Sequence, residues 1–332
     1  MINSSISNIF FTFCSGTIAY QKHTVGFSLL KVAHCLLVII VLVVSVLVGS
    51  GWLNRATPAS TCDIATRSTQ IGSGTLSYNQ AGTGQPILLL HGLFAEKEQW
   101  NGMMCELARA GYQAIAPDLP GYAKSTGFTV KDYALENQVA LLHQFVEQLK
   151  IQSLDVAGSS MGGTIATLYS QLYPNQVRSL AFIGSPLGVT NWATSVRKSI
   201  IEGINPFIPI TKEQFDLEIS LLFVTPPTIP DEVKTEKVND YVNRNRNYQQ
   251  TWDIVNLYDD VLCQLPHSRV PTLAIWGQED KIYDIRDVDR SHRCLPGSQI
   301  IQLPKAGHLL LIENAQEAAS NYLGFLKTIK NR

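Results

Sequence analysis

Three residues of this chain have the types needed for nucleophilic chemistry: Ser160, in the run VAGSSMGGT over residues 156–164, Asp280, and His308. A serine hydroxyl is a poor nucleophile at neutral pH, so it needs a base within hydrogen-bond reach, and that base needs an orienting partner. His308 can take the Ser160 proton, while Asp280 can fix the imidazole tautomer and stabilise the imidazolium. The stretch Gly158-Ser159-Ser160-Met161-Gly162 fits G-x-S-x-G, a sharp strand-to-helix turn that lifts one hydroxyl above a sheet. Attack on a carbonyl also creates an oxyanion that needs donors aimed at it. The backbone N–H of Met161 supplies one. The second falls to the loop after LLLHG, at Leu93, with Phe94 as the neighbouring alternative.

Each residue also has a plainer reading. Ser160 could cap the following helix, and Ser159 reads as a cap or elbow-packing residue. Glu279 competes with Asp280, and the G-x-x-D spacing from Gly277 favours Asp280. His91 reads as structural, shaping the oxyanion loop, and Asp118, followed by Leu-Pro-Gly, as closing a turn. His23, His34, His143, His267 and His292 have no identifiable partner. Trp192, Phe207, Phe215 and Phe223 could line an acyl pocket or simply pack a helical layer.

The elements that must position these residues are short and aliphatic. Residues 75–82, 86–92, 112–121, 153–160, 179–186, 271–280 and 298–308 read as strands, each stopped by Gly, Pro or a polar turn. Helical patterns fall at 97–110, 131–149, 162–173 and 314–329. Doubly buried strands alternating with helices predict a mostly parallel α/β sheet covered on both faces. Sites on such sheets form at the carboxyl ends of strands, where Ser160, Asp280 and His308 all fall. Residues 187–268 break the alternation with helical and proline-interrupted apolar stretches, and are expected to form a helical cap. The core is expected over 68–186 and 269–332.

The chain of 332 residues has a formal net charge of −1 and interleaved charges, which excludes a polyanion such as nucleic acid as partner. Val32 to Gly49 carries no charged residue, and at about 1.5 Å per residue it reaches ~27 Å, close to a bilayer's hydrocarbon thickness. The expectation is a transmembrane anchor over 32–49 after an N-terminal segment 1–31. The alternative is a signal segment removed near Val48-Gly49-Ser50. Residues 50–67 read as a linker. Lys22 and Lys31 precede the apolar run without any acid, so the remainder is expected on the outer side of the cytoplasmic membrane, or secreted after cleavage. Cys62, Cys105, Cys263 and Cys294 lie beyond it. They allow three disulfide pairings, and the expectation is free or buried thiols. No cysteine or histidine spacing suggests a metal.

Residues 75–328 resemble the α/β-hydrolase superfamily, especially bacterial serine esterases and lipases with a helical cap, through LLLHGLF, DLPGYAKS, GSSMGG, WGQEDKI and KAGHLLLIENA. The order serine, acid, histidine is that superfamily's own. The resemblance implies Ser160 as nucleophile, Asp280 as acid, His308 as base and no cofactor. It also implies a small-molecule ester or lipid-like substrate cleaved through an acyl-enzyme. Related folds hydrolyse carbon–carbon bonds with the same triad, and a non-catalytic binding protein of this fold is a third reading. Ser159 stands where many relatives have His or Asn before the nucleophile. Ser160 stands where epoxide hydrolases and dehalogenases carry Asp, which argues against their substrates.

Overall fold

The structure, a computed structural model, describes residues 62–186, 192–258, 261–264, 268–284 and 288–330. The span expected over 32–49 lies outside them. Among the described residues no helix is long and apolar enough to cross a membrane.

Eight strands form one sheet: β1 (Ile64–Ile71), β2 (Gly74–Ala81), β3 (Gln85–Leu90), β4 (Tyr112–Pro117), β5 (Leu154–Ser160), β6 (Val177–Pro186), β7 (Thr272–Gly277) and β8 (Gln299–Leu303). Their spatial order is β1-β2-β4-β3-β5-β6-β7-β8. β1 and β2 pair antiparallel, as do β2 and β4, and every pairing from β4 to β8 is parallel. The expected mostly parallel sheet is therefore present. β1 has no counterpart in the sequence reading, where residues 64–67 fell to the linker. Its ATRSTQ run is polar because the strand sits at the sheet edge, mostly half-buried or exposed. Gly72, at φ +55° in the left-handed region, lets the chain reverse tightly so that Ile71 pairs with Gly74.

Strand periodicity explains the unbroken apolar runs. Leu88 and Leu90 of β3, Val156 of β5 and Trp276 of β7 face one side, with the helices α2 (Leu135–Gln148) and α3 (Met161–Leu172). Ile87, Leu89, Ala157 and Ile275 face the other, against α1 (Asn101–Arg109) and α11 (Ala315–Lys330). Successive side chains point to opposite faces, so a strand buried on both is apolar at most of its positions.

Between β6 and β7 the described chain forms the helices α4 (Thr194–Ile201), α5 (Lys212–Leu222), α6 (Asp231–Asn243), α7 (Asn245–Asn256) and α8 (Val261–Gln264). The helices α9 (Val288–Cys294) and α10 (Leu310–Glu313) flank β8. The expectation of free thiols is corrected here. Cys62 bonds Cys105, and Cys263 bonds Cys294, with Cα atoms 5.4 and 4.4 Å apart. One bridge ties the start of β1 to α1 and the other ties α8 to α9. Partners separated by 43 and 31 residues are brought together only by the tertiary fold.

Candidate active site

The turn from β5 into α3 explains the glycines around Ser160. Ser160 sits at φ +50°, ψ −120°, a backbone conformation that L residues rarely adopt and that costs on the order of 1–3 kcal/mol. A Cβ at Gly158 would lie 2.1 Å from the Gly162 carbonyl oxygen. At Gly162 it would lie 2.1 Å from that of Leu90. Both contacts are with backbone, which cannot step aside. The helix therefore starts hard against β3, with Ser160 held at its entrance. Ser159 is buried, its hydroxyl against Gly184, which fits the packing role read from sequence.

Asp280 lies in the loop after β7, buried, and receives four N–H donors. Oδ1 accepts from the backbone of Ile282 (2.8 Å) and Tyr283 (3.1 Å). Oδ2 accepts from Trp276 Nε1 (3.1 Å) and His308 Nδ1 (3.0 Å). With Nδ1 donating, Nε2 is the nitrogen left to accept a proton. Glu279, the competing acid, is exposed. Asp280 and His308 are thus brought together directly. Tyr283 connects this pair to the nucleophile position: its ring lies 5.7 Å from that of His308, and its phenol interacts with the Ser160 side chain. Burial pushes the Tyr283 phenol far above its ordinary value, with Ser160 working in the opposite direction. The sequence reading missed Tyr283, whose one signal is its place three residues after the acid.

The loop after β3 is shaped by buried polar groups. His91 donates from Nδ1 to the Gly92 carbonyl (2.8 Å) and accepts the Leu119 N–H at Nε2 (2.8 Å). Burial lowers its pKa, which keeps the ring neutral and the Nε2 lone pair available. This fits the structural role expected of it. Ala95 N–H donates to the Gly92 carbonyl (3.3 Å), closing a turn whose central residues are Leu93 and Phe94, the latter at φ +56°. Gly92 packs on Ser160: a Cβ there would lie 3.3 Å from the serine's. Met161 opens α3, and the first N–H groups of a helix have no partner within it. The turn that carries Leu93 thus adjoins Ser160 through Gly92, and Met161 follows Ser160 directly at the start of α3.

Asp118 does more than close a turn. It forms a fully buried ion pair with Lys97 (2.8 Å) and accepts the Lys97 backbone N–H (2.9 Å) and that of Lys124 (3.2 Å). Burial works against the Lys97 ammonium, but hydrogen bonds to Asp118 and Glu98 outweigh it and raise its pKa. The pair locks the chain after β3 to the chain after β4.

The C-terminal end of α5 is fastened to the loops that carry Asp280 and His308. Lys281 Nζ donates to the carbonyls of Ser220 (3.0 Å) and Phe223 (2.9 Å), and Leu309 N–H to that of Leu222 (3.2 Å). Glu313 accepts from Val224 (2.9 Å), Thr225 (3.2 Å) and Gly307 (3.1 Å) at once. Of the four aromatic residues singled out from sequence, Trp192 stacks on Tyr283 (4.9 Å) and lies 5.5 Å from Phe207, and both stack with Trp252. Phe215 is buried in the helical layer, and Phe223 is half-buried at its fastening to Lys281.

A family model described as alpha/beta hydrolase fold matches residues 85–315. The chain is 30% identical over 276 residues to Lipase 1 of Psychrobacter immobilis, covering 79% of this chain and 84% of that protein. It is 27% identical over 283 residues to Lipase 3 of Moraxella sp. (strain TA144), covering 82% and 87%. Among solved structures it resembles a membrane phospholipase A described as a bacterial virulence factor. The TM-score is 0.73 and the identity 26%, covering 90% of this chain and all of that one.

Proposed function

The chain belongs to the α/β-hydrolase family, and from that premise we propose that it is a serine hydrolase cleaving lipid-like carboxylic esters through an acyl-enzyme. The observation that carries this reading is the buried hydrogen bond between His308 and Asp280 in the loops beside the strained Ser160. The names of the relatives support ester substrates of lipid character.

In the proposed cycle Ser160 Oγ attacks the ester carbonyl while its proton passes to His308 Nε2. Asp280 holds the imidazole through Nδ1 and stabilises its positive charge. The oxyanion accepts from the Leu93 and Met161 N–H groups. Collapse breaks the bond to the alkoxy oxygen, which takes the proton from His308 and departs as alcohol. Water, activated by the same imidazole, then attacks the acyl-enzyme and releases the acid, restoring the serine. No step calls for a metal or organic cofactor.

The helices from 187 to 268 serve, in this reading, as a cap over the site, with Trp192, Phe207 and Trp252 as apolar wall. An anchor over 32–49 would hold the hydrolase, beyond the linker, on the outer side of the membrane. Two disulfides support an oxidising location, since cytosolic thiols are kept reduced. A fluorophosphonate probe tests the nucleophile directly. The wild-type protein should take one label, on Ser160, and Ser160→Ala none. Labelling that survives Ser160→Ala, or its absence from the wild type, would overturn the assignment.

A further inference from the structure

The Tyr283 phenol is a polar group beside the nucleophile that the proposed cycle leaves unused. Its residue is 1% exposed, and its hydroxyl finds no hydrogen-bond partner of ordinary geometry among the described residues. Buried polar groups in folded proteins are nearly always paired, so an orphan at a reactive position calls for a partner that arrives with the ligand. The ring is held by its neighbours: Trp192 stacks on it at 4.9 Å and 16°, His308 packs at 5.7 Å, and its backbone N–H is fixed by Asp280. A bridge between the Trp192 and Tyr283 backbones adds a further tie. A hydroxyl aimed so rigidly is a preorganised donor, and burial keeps it protonated.

Strand order decides which substrate oxygen it can serve. β3, whose following loop carries Leu93, flanks β5 on one side, while β6, β7 and β8 lie on the other. Tyr283 follows β7 and touches His308, so it approaches Ser160 from the side where the leaving alcohol receives its proton. We propose that the Tyr283 hydroxyl is a catalytic hydrogen-bond donor to the alkoxy oxygen of the scissile ester, opposite the oxyanion donors. This rests on the serine-hydrolase reading above. The tyrosine keeps its own proton throughout. It stabilises the growing charge on the departing oxygen until His308 protonates it.

The test compares two octanoyl esters that share the acyl chain and differ in leaving group: p-nitrophenyl, which departs unaided, and glyceryl, which does not. For Tyr283→Phe, kcat/KM should fall about 10- to 100-fold on the glyceryl ester and by less than about threefold on the p-nitrophenyl ester. Fluorophosphonate should still label Ser160 in the variant, which shows that the nucleophile remains in place. The melting temperature should stay close to wild type, because the substitution keeps the ring stacked on Trp192. Equal losses on both esters, no loss on either, or a lowered melting temperature with loss of labelling would overturn the role given to Tyr283. Failure of the wild type to label would instead remove the reading beneath it.

Discussion

Four N–H groups donate to the Asp280 carboxylate, two on each oxygen. An asparagine there must turn its NH2 toward two of them, whichever way the amide lies. If it faces His308 the imidazole loses its acceptor and flips tautomer, presenting a protonated nitrogen where the base should be. Asp280→Asn should therefore cut kcat by about 10³- to 10⁴-fold with little change in KM, measured on any ester the wild type turns over. A loss of less than tenfold would mean that His308 does not depend on this carboxylate. The positions of Ser160, Asp280 and His308 were legible in sequence because each lies at, or a few residues beyond, the carboxyl end of an aliphatic strand. Tyr283 was not, because a tyrosine in a loop carries no signal until its neighbours are known. Lys97 and Asp118 were missed as a pair because the contact spans two loops that sequence alone leaves unconnected.

Helix α5 carries another of the buried acids. Glu218 is buried and accepts a hydrogen bond from Tyr241 of α6 (3.1 Å). Burial pushes its pKa up to about 8, with Tyr241 and Lys237 opposing the shift. Between about pH 5 and 8 the unfolded chain has released this proton and the folded one has not. Fewer protons are bound in the unfolded state, so stability falls as pH rises through that window, by on the order of a few kcal/mol, and stays reduced above it. Glu218→Gln keeps an acceptor for Tyr241 and removes the penalty. Its melting temperature should exceed wild type by several degrees at pH 8.5 and match it near pH 4.5. Equal curves at both pH values would show that the carboxyl ionises freely. At this scale sequence periodicity located seven strands, most of them because strands buried on both faces advertise themselves as apolar runs. β1 escaped because an edge strand, mostly half-buried or exposed, reads like linker.

For the molecule as a whole, the eight-stranded sheet collects three distant loops at one rim, and two disulfides constrain the chain around it. In the chain-entropy account, closing loops of 43 and 31 residues is worth roughly 3–4 kcal/mol each. Protein isolated from its own cell should show no alkylation at Cys62, Cys105, Cys263 or Cys294 under denaturing, non-reducing conditions, and reduction should lower its melting temperature markedly. Free thiols at these positions would sink both the pairing and the oxidising location. Pairing was beyond sequence because nothing local encodes which distant sulfurs meet. The fastening of residues 220–225 to Lys281, Leu309 and Glu313 carries one last implication. If the helical layer roofs the site as proposed, that roof is bolted along the same edge that holds Asp280 and His308. Lifting it there would pull the acid and the imidazole out of line, so any widening of the doorway has to come from the opposite eave.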